Sequence, residues 1–200
     1  MSKALVYIHG KGGSAAEAEH YKLLFAGADV IGFDYRAETP WEAKAEFSAF
    51  FAERLRGCDA VCIVANSIGA FFAMHALADA KLEKAYFISP IVDMEALILG
   101  MMHSAGIDEA TLRARGQVET PFGEILDYAY LSYVRAHPLV WRAPTAVLYG
   151  EQDLLQSREA VESFAARIGA PLTVMPGGEH WFHTETQMAF LDQWILDNQR

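Results

Sequence analysis

Ser67 sits in Ala65-Asn66-Ser67-Ile68-Gly69, between an apolar run and a stretch of helical spacing. A serine hydroxyl is a weak nucleophile unless a base takes its proton. The small-x-Ser-x-Gly pattern suits a strand that turns sharply into a helix, because larger side chains two residues before and after the serine would collide. Such a turn lifts the hydroxyl above the sheet. It also sets it at a helix N-terminus, where amide N–H groups and the helix dipole favour an oxyanion. Serine also caps helices without doing chemistry, so the pattern gains meaning only with partners.

A base candidate comes late, in Gly177-Gly178-Glu179-His180. His180 follows a glycine turn after an apolar run, which lets its imidazole reach over the strand ends. His183 competes, but a capped helix opens directly after it, and a structural or rim position suits it better. The base needs an acid to fix its tautomer and stabilise the imidazolium. Asp153, in Tyr149-Gly150-Glu151-Gln152-Asp153, is the first choice; Glu151 lies nearer the strand and faces solvent. Asp93, in Ser89-Pro90-Ile91-Val92-Asp93, is a rival from the preceding strand. Ahead of the serine, after the first apolar run and before an expected first helix, stands His9-Gly10-Lys11-Gly12-Gly13-Ser14. It lacks the Gly-Lys-Ser/Thr ending of a phosphate-binding loop and is not G-x-G-x-x-G. It reads instead as a loop whose backbone amide, at Lys11 or alternatively Gly12, faces the amide of Ile68, giving two donors for a tetrahedral oxyanion. His9 then holds the loop in place.

These residues need a scaffold that brings them to one edge. Apolar runs at 4–8, 29–33, 60–65, 85–88, 146–149 and 172–175 predict six strands. Runs that are apolar throughout, without alternation, suit a parallel sheet covered on both faces. Thr39-Pro40-Trp41-Glu42 is a capping box that opens a helix running to about Arg56, before Gly57. Further helices are expected after Ser67 (carrying Phe71, Phe72 and His75), over 159–168, and from the capping box Thr184-Glu185-Thr186-Gln187. The alternation predicts a doubly wound α/β fold in a single domain, 1–200. One segment breaks it. Residues 91–143 are too long for a simple crossover. Spacings such as Leu97–Met101 and Leu126–Tyr130 predict two or three helices folded over one sheet edge. A lid with Met94, Met101 and Tyr130 as substrate contacts is the functional expectation; extra packing is the plain one.

The bulk composition excludes other classes. The chain has 200 residues, 52% hydrophobic and 21% charged, with a formal charge of −10 and a pI near 5.1. An acidic surface repels phosphate backbones and anionic lipid, so neither nucleic acid nor membrane is an expected partner. Cys58 and Cys62 are expected as small buried hydrophobes in a reducing cytosol, not as a metal pair. The N-terminal apolar run is too short for a signal peptide, and no stretch reaches the ~20 apolar residues of a membrane span. A cytoplasmic protein is expected.

With HG-x-G-G after the first strand, small-x-Ser-x-Gly after the third, G-x-x-Asp after the fifth and G-x-x-His after the sixth, nearly the whole chain resembles the α/β-hydrolase superfamily, as a small esterase-like member. Ala65 stands where many relatives have Gly. The chain begins at the family's third strand, so the resemblance implies a mainly parallel six-stranded sheet lacking the N-terminal hairpin, with a helical lid after the fourth strand. It also implies a Ser67–His180–Asp153 triad, an oxyanion hole at Lys11 and Ile68, and hydrolysis of a small carboxylic ester or related acyl substrate through an acyl-enzyme. The family also hosts thioesterases, amidases, lactonases, C–C bond hydrolases and acyltransferases, and a non-catalytic binder or sensor would keep the same pocket. A dehalogenase would carry Asp where Ser67 stands. No metal or organic cofactor is implied. The expected partner is a small-molecule acyl substrate, in a monomer or homodimer.

Overall fold

The structure, a computed structural model, describes residues 2–199. Along the chain lie β1 (Lys3–Ile8), a 3₁₀ segment (Ala15–Lys22), β2 (Asp29–Phe33), α1 (Pro40–Arg54), β3 (Ala60–Asn66), α2 (Ile68–Ala76) and β4 (Lys84–Ile88). Next come α3 (Met94–Ala105), α4 (Glu109–Arg115), β5 (Gln117–Glu119), β6 (Ile125–Asp127) and α5 (Tyr128–Ala136). The chain ends with β7 (Thr145–Gly150), α6 (Arg158–Ile168), β8 (Leu172–Met175) and α7 (Glu185–Asn198). It forms two compact units, one built from the chain up to Val92 and again from Val140, the other Asp93–Leu139.

The first unit is organised by a six-stranded sheet in the order β2-β1-β3-β4-β7-β8, in which every neighbouring pair is parallel. The six apolar runs are these strands. All of β7 is buried, and so is β1 from Ala4 onward, as expected of a sheet with helices on both faces. Parallel pairing sends every carboxyl end to the same edge. The loops after β1, β3, β7 and β8 therefore converge there.

Two local details differ from the sequence pattern. The segment after the glycine loop is a 3₁₀ helix, and its buried residues, Ala18 and Tyr21, are spaced three apart, the repeat of that helix. α1 stops at Arg54 rather than near Arg56, and Gly57 then takes φ 86°. At its start, the Glu42 amide donates to Thr39 Oγ1 (3.3 Å), while Glu42 Oε2 accepts from the Thr39 and Glu38 amides at 3.1 Å each. Hydrogen bonds from Thr39, then from the Glu38 amide, hold the Glu42 carboxyl below the usual carboxylate range.

The second unit holds α3, α4, α5 and an antiparallel β5–β6 hairpin. Helices were expected there; the hairpin was not. Its strands of three residues each are too short to show alternation. Thr120 closes the turn: its hydroxyl accepts from the Glu124 amide (2.9 Å), and its own amide donates to Glu124 O (2.7 Å). Arg135 on α5 grips Glu109 with two donors (2.7 and 3.0 Å) and Glu95 with a third (2.6 Å). Met94 and Met101 lie on α3, and Tyr130 lies on α5. Among the described residues, no helix is long and apolar enough to cross a membrane.

The Thr39 box yields a test. Thr39→Ala is expected to destabilise the protein by about 1 kcal/mol at neutral pH in urea denaturation. The Glu42 pKa is depressed in the folded state, so its contribution is present above the unfolded carboxylate pKa and lost as pH falls through the lower folded value. The gap between wild type and variant should therefore narrow below about pH 4.

Candidate active site

Ser67, directly after β3, sits at φ 53°, ψ −122°, a conformation that costs a non-glycine residue about 1–3 kcal/mol. Its neighbours hold it there. The Ser67 amide donates to Ile88 O (3.0 Å), and Ser67 O accepts from Ala70 (3.1 Å) and Ile91 (3.3 Å). The small residues are required by contact. A Cβ on Gly69 would run into the His9 carbonyl oxygen, and one on Gly10 would lie 3.1 Å from Ser67 Cβ. Ala65 is fully buried.

His180 Nε2 lies 2.8 Å from Ser67 Oγ, and its Nδ1 lies 2.6 Å from Asp153 Oδ2. The Asp153 side chain is fully buried. Its other oxygen, Oδ1, accepts from the amides of Leu155 (2.8 Å) and Gln156 (3.3 Å). A carboxylate can only accept, so Nδ1 carries the imidazole proton and Nε2 is left to accept from the serine hydroxyl. The Tyr149 hydroxyl donates to Gln156 O (2.8 Å); burial first, then the Asp153 charge, push its pKa up.

The loops carrying Asp153 and His180 interlock. The Gln152 amide donates to Gly178 O (2.8 Å) and the Glu151 amide to Met175 O (3.1 Å). Glu151 is exposed, and its Oε2 accepts from the Gly177 amide (2.9 Å). A side chain on Gly150 would meet the carbonyls of Gly178 and Glu179. The other candidates make different contacts. Asp93 caps α3, accepting from the Ala96 amide (2.9 Å). The His183 ring stacks on Trp181 at 4.4 Å. His9 stacks on Tyr35 at 4.3 Å, and the Tyr35 hydroxyl donates to His9 O (2.8 Å).

Lys11 belongs to the loop after β1, and Ile68 is the first residue of α2. A cavity of about 320 Å³ opens beside Ser67, lined by residues 10–13 together with Glu17, Asn66, Leu155, His180 and Trp181. All of these belong to the first unit. Among the described residues, no cluster of His, Cys, Asp and Glu could hold a metal ion. Cys58 and Cys62 are free and half-buried, and burial pushes the Cys62 thiol up.

Four lining residues were missed by the sequence reading: Glu17, Asn66, Leu155 and Trp181. Glu17 had a signal, since Ser14-x-x-Glu17 is the spacing of a capping box. Its Oε1 accepts from the Ser14 amide (3.0 Å), and its Oε2 accepts from the Tyr7 hydroxyl. Asn66 also hydrogen-bonds Tyr7, whose phenol is pushed well above its ordinary value by burial first and then by Tyr21 and Glu17. Glu17 thus ties the glycine loop to β1 and, through Tyr7, to the residue before Ser67. Glu17→Ala would strip the Tyr7 hydroxyl of its acceptor and should cost about 1–3 kcal/mol in urea denaturation. Tyr7→Phe should recover part of that loss in the double variant, because it removes the orphaned donor.

No protein-family model matches the chain, and no curated protein sequence does. Solved structures do. Mouse α/β hydrolase domain-containing protein 10 superposes with a TM-score of 0.76 at 17% identity, over 98% of this chain and 89% of that one. Est1E from Butyrivibrio proteoclasticus gives 0.76 at 16% identity, over 99% and 87%. The Paleococcus ferrophilus monoacylglycerol lipase gives 0.65 at 14%, over 98% and 96%. A parallel six-stranded sheet ordered β2-β1-β3-β4-β7-β8, with a strained serine between β3 and α2, is therefore that of the α/β-hydrolase fold.

Proposed function

We propose that the protein is a serine hydrolase of small carboxylic esters or closely related acyl compounds. The observation that carries this reading is the unbroken hydrogen-bonded chain Ser67 Oγ–His180–Asp153, at 2.8 and 2.6 Å. His180 Nε2 takes the hydroxyl proton as Ser67 Oγ bonds to the acyl carbon, and the carbonyl π pair moves onto oxygen. Asp153, buried and already accepting two amide hydrogen bonds, stabilises the imidazolium without taking its proton. The oxyanion is stabilised by the amides of Ile68 and Lys11. Ile68 stands in the first turn of α2, where N–H groups have no partner within the helix. As the tetrahedral intermediate collapses, the acyl C–O bond breaks and the leaving oxygen receives the proton from His180. Water, with His180 as base, then clears the acyl-enzyme. Ester hydrolysis is also what the name of one solved neighbour, a monoacylglycerol lipase, denotes.

Fluorophosphonate labelling and p-nitrophenyl acetate turnover test the reading. Ser67→Ala is expected to abolish labelling and lower kcat by roughly 10⁶-fold, and Asp153→Asn to lower kcat by about 10⁴-fold with the fold intact. Equal labelling of wild type and Ser67→Ala would sink the proposal.

A further inference from the structure

The lining of the cavity beside Ser67 is divided by chemistry. Glu17 and Asn66 are polar; Leu155 and Trp181 are apolar. Those apolar groups are not core residues, since Leu155 is 44% exposed and Trp181 66%. Large apolar side chains left in water beside a reactive group mark a binding surface. Trp181 is also held in orientation without being buried. Its indole stacks on His183 with an interplanar angle of 18°, and His183 Nδ1 lies 2.8 Å from Trp181 O. A preset aromatic plate loses little freedom when a ligand settles on it.

The position of these groups says which part of a substrate they meet. Trp181 directly follows His180 in the chain, and Leu155 donates its amide to Asp153 Oδ1. Both therefore travel with the acid–base pair, whereas residues 10–13 and Ile68 stand with the proposed oxyanion donors. His180 Nε2 has to hand its proton to the departing oxygen as the acyl C–O bond breaks and the bonding pair moves to that oxygen. The leaving group must consequently lie on the His180 side of Ser67. We propose that Leu155 and Trp181 form a leaving-group subsite for an alcohol that bears an aromatic ring, released as the neutral aryl alcohol. The assignment rests on the serine-hydrolase reading and adds a substrate class to it.

Acetate esters of primary alcohols isolate the leaving group, because the acyl half stays constant. The values of kcat/KM for benzyl, cyclohexylmethyl and ethyl acetate are to be measured on wild type, Trp181→Ala and Trp181→Phe, with Ser67→Ala as the blank. The wild type should prefer benzyl over ethyl acetate by roughly tenfold or more, and benzyl over cyclohexylmethyl by several-fold, since ring stacking adds to simple burial. Trp181→Ala should collapse the benzyl-to-ethyl ratio about tenfold, chiefly through KM, and Trp181→Phe should retain most of it. A benzyl-to-ethyl ratio unchanged in Trp181→Ala, or equal turnover of benzyl and cyclohexylmethyl acetate by wild type, would overturn the aryl subsite while leaving the hydrolase reading intact. Turnover of every ester no faster than the Ser67→Ala blank would overturn the hydrolase reading itself. Far-UV circular dichroism of the variants should match wild type, as expected for an exposed residue.

Discussion

A serine at φ 53° has to be held from several sides at once, and much of the first unit is arranged to do so. β1 lies beside β3 and delivers Gly10 against Ser67 Cβ; β4 lies on the other side and accepts the Ser67 amide at Ile88 O. α2 begins immediately after, and Gly69 lets its first turn pass the His9 carbonyl. Strain of about 1–3 kcal/mol is a sizeable share of a domain's net stability. It persists only because these contacts over-determine the backbone. Ser89, next to the carbonyl that receives the Ser67 amide, also sits at positive φ (43°) and donates to Leu148 O at 2.8 Å. The carboxyl edges of β3, β4 and β7 are thus coupled through two unusual residues.

Burying the Asp153 carboxylate imposes a second set of demands. A charge removed from water is tolerable only where its oxygens find donors. The turn after β7 supplies two amides, and His180 supplies the third partner. His180 comes from a different strand, so the β7 and β8 loops must move as one. Gly150, the Glu151–Gly177 hydrogen bond and the Gln152–Gly178 hydrogen bond achieve this. On the opposite side of the elbow, the Tyr7–Glu17 pair does the same for the glycine loop, fixing it through the Ser14 amide. The site is therefore held by two separate locks, one on each flank of Ser67.

Much of this was legible in the chain because its signals are local and hard to mimic. The apolar runs marked the six strands of the large sheet, though the edge strands β2 and β8 are largely half-buried, and the Thr39 and Thr184 boxes marked helix starts to the residue. Small residues at 65 and 69 marked the elbow, where any side chain of size would collide. The β5–β6 hairpin escaped notice because three residues per strand carry no period, and its turn is closed by a threonine hydroxyl rather than by a glycine pair. The 3₁₀ segment escaped because Ala18 and Tyr21 bury at a spacing equally compatible with an ordinary helix.

Sequence alone determined the six strands of the large sheet, its parallel class and the residue types able to act as nucleophile, base and acid, since these depend on local periodicity and on the order of motifs along the chain. It put Asp153 first as the acid and kept Asp93 as a rival. Both follow a strand, and the choice depends on which carboxylate the lateral order of strands brings to an imidazole many residues away. Tertiary structure places β7 next to β8, with Asp153 Oδ2 2.6 Å from His180 Nδ1, and Asp93 caps α3. It also revealed Glu17, Asn66, Leu155 and Trp181 around one cavity, because shared surroundings are a property of folded space and leave no mark on the spacing of residues in a chain.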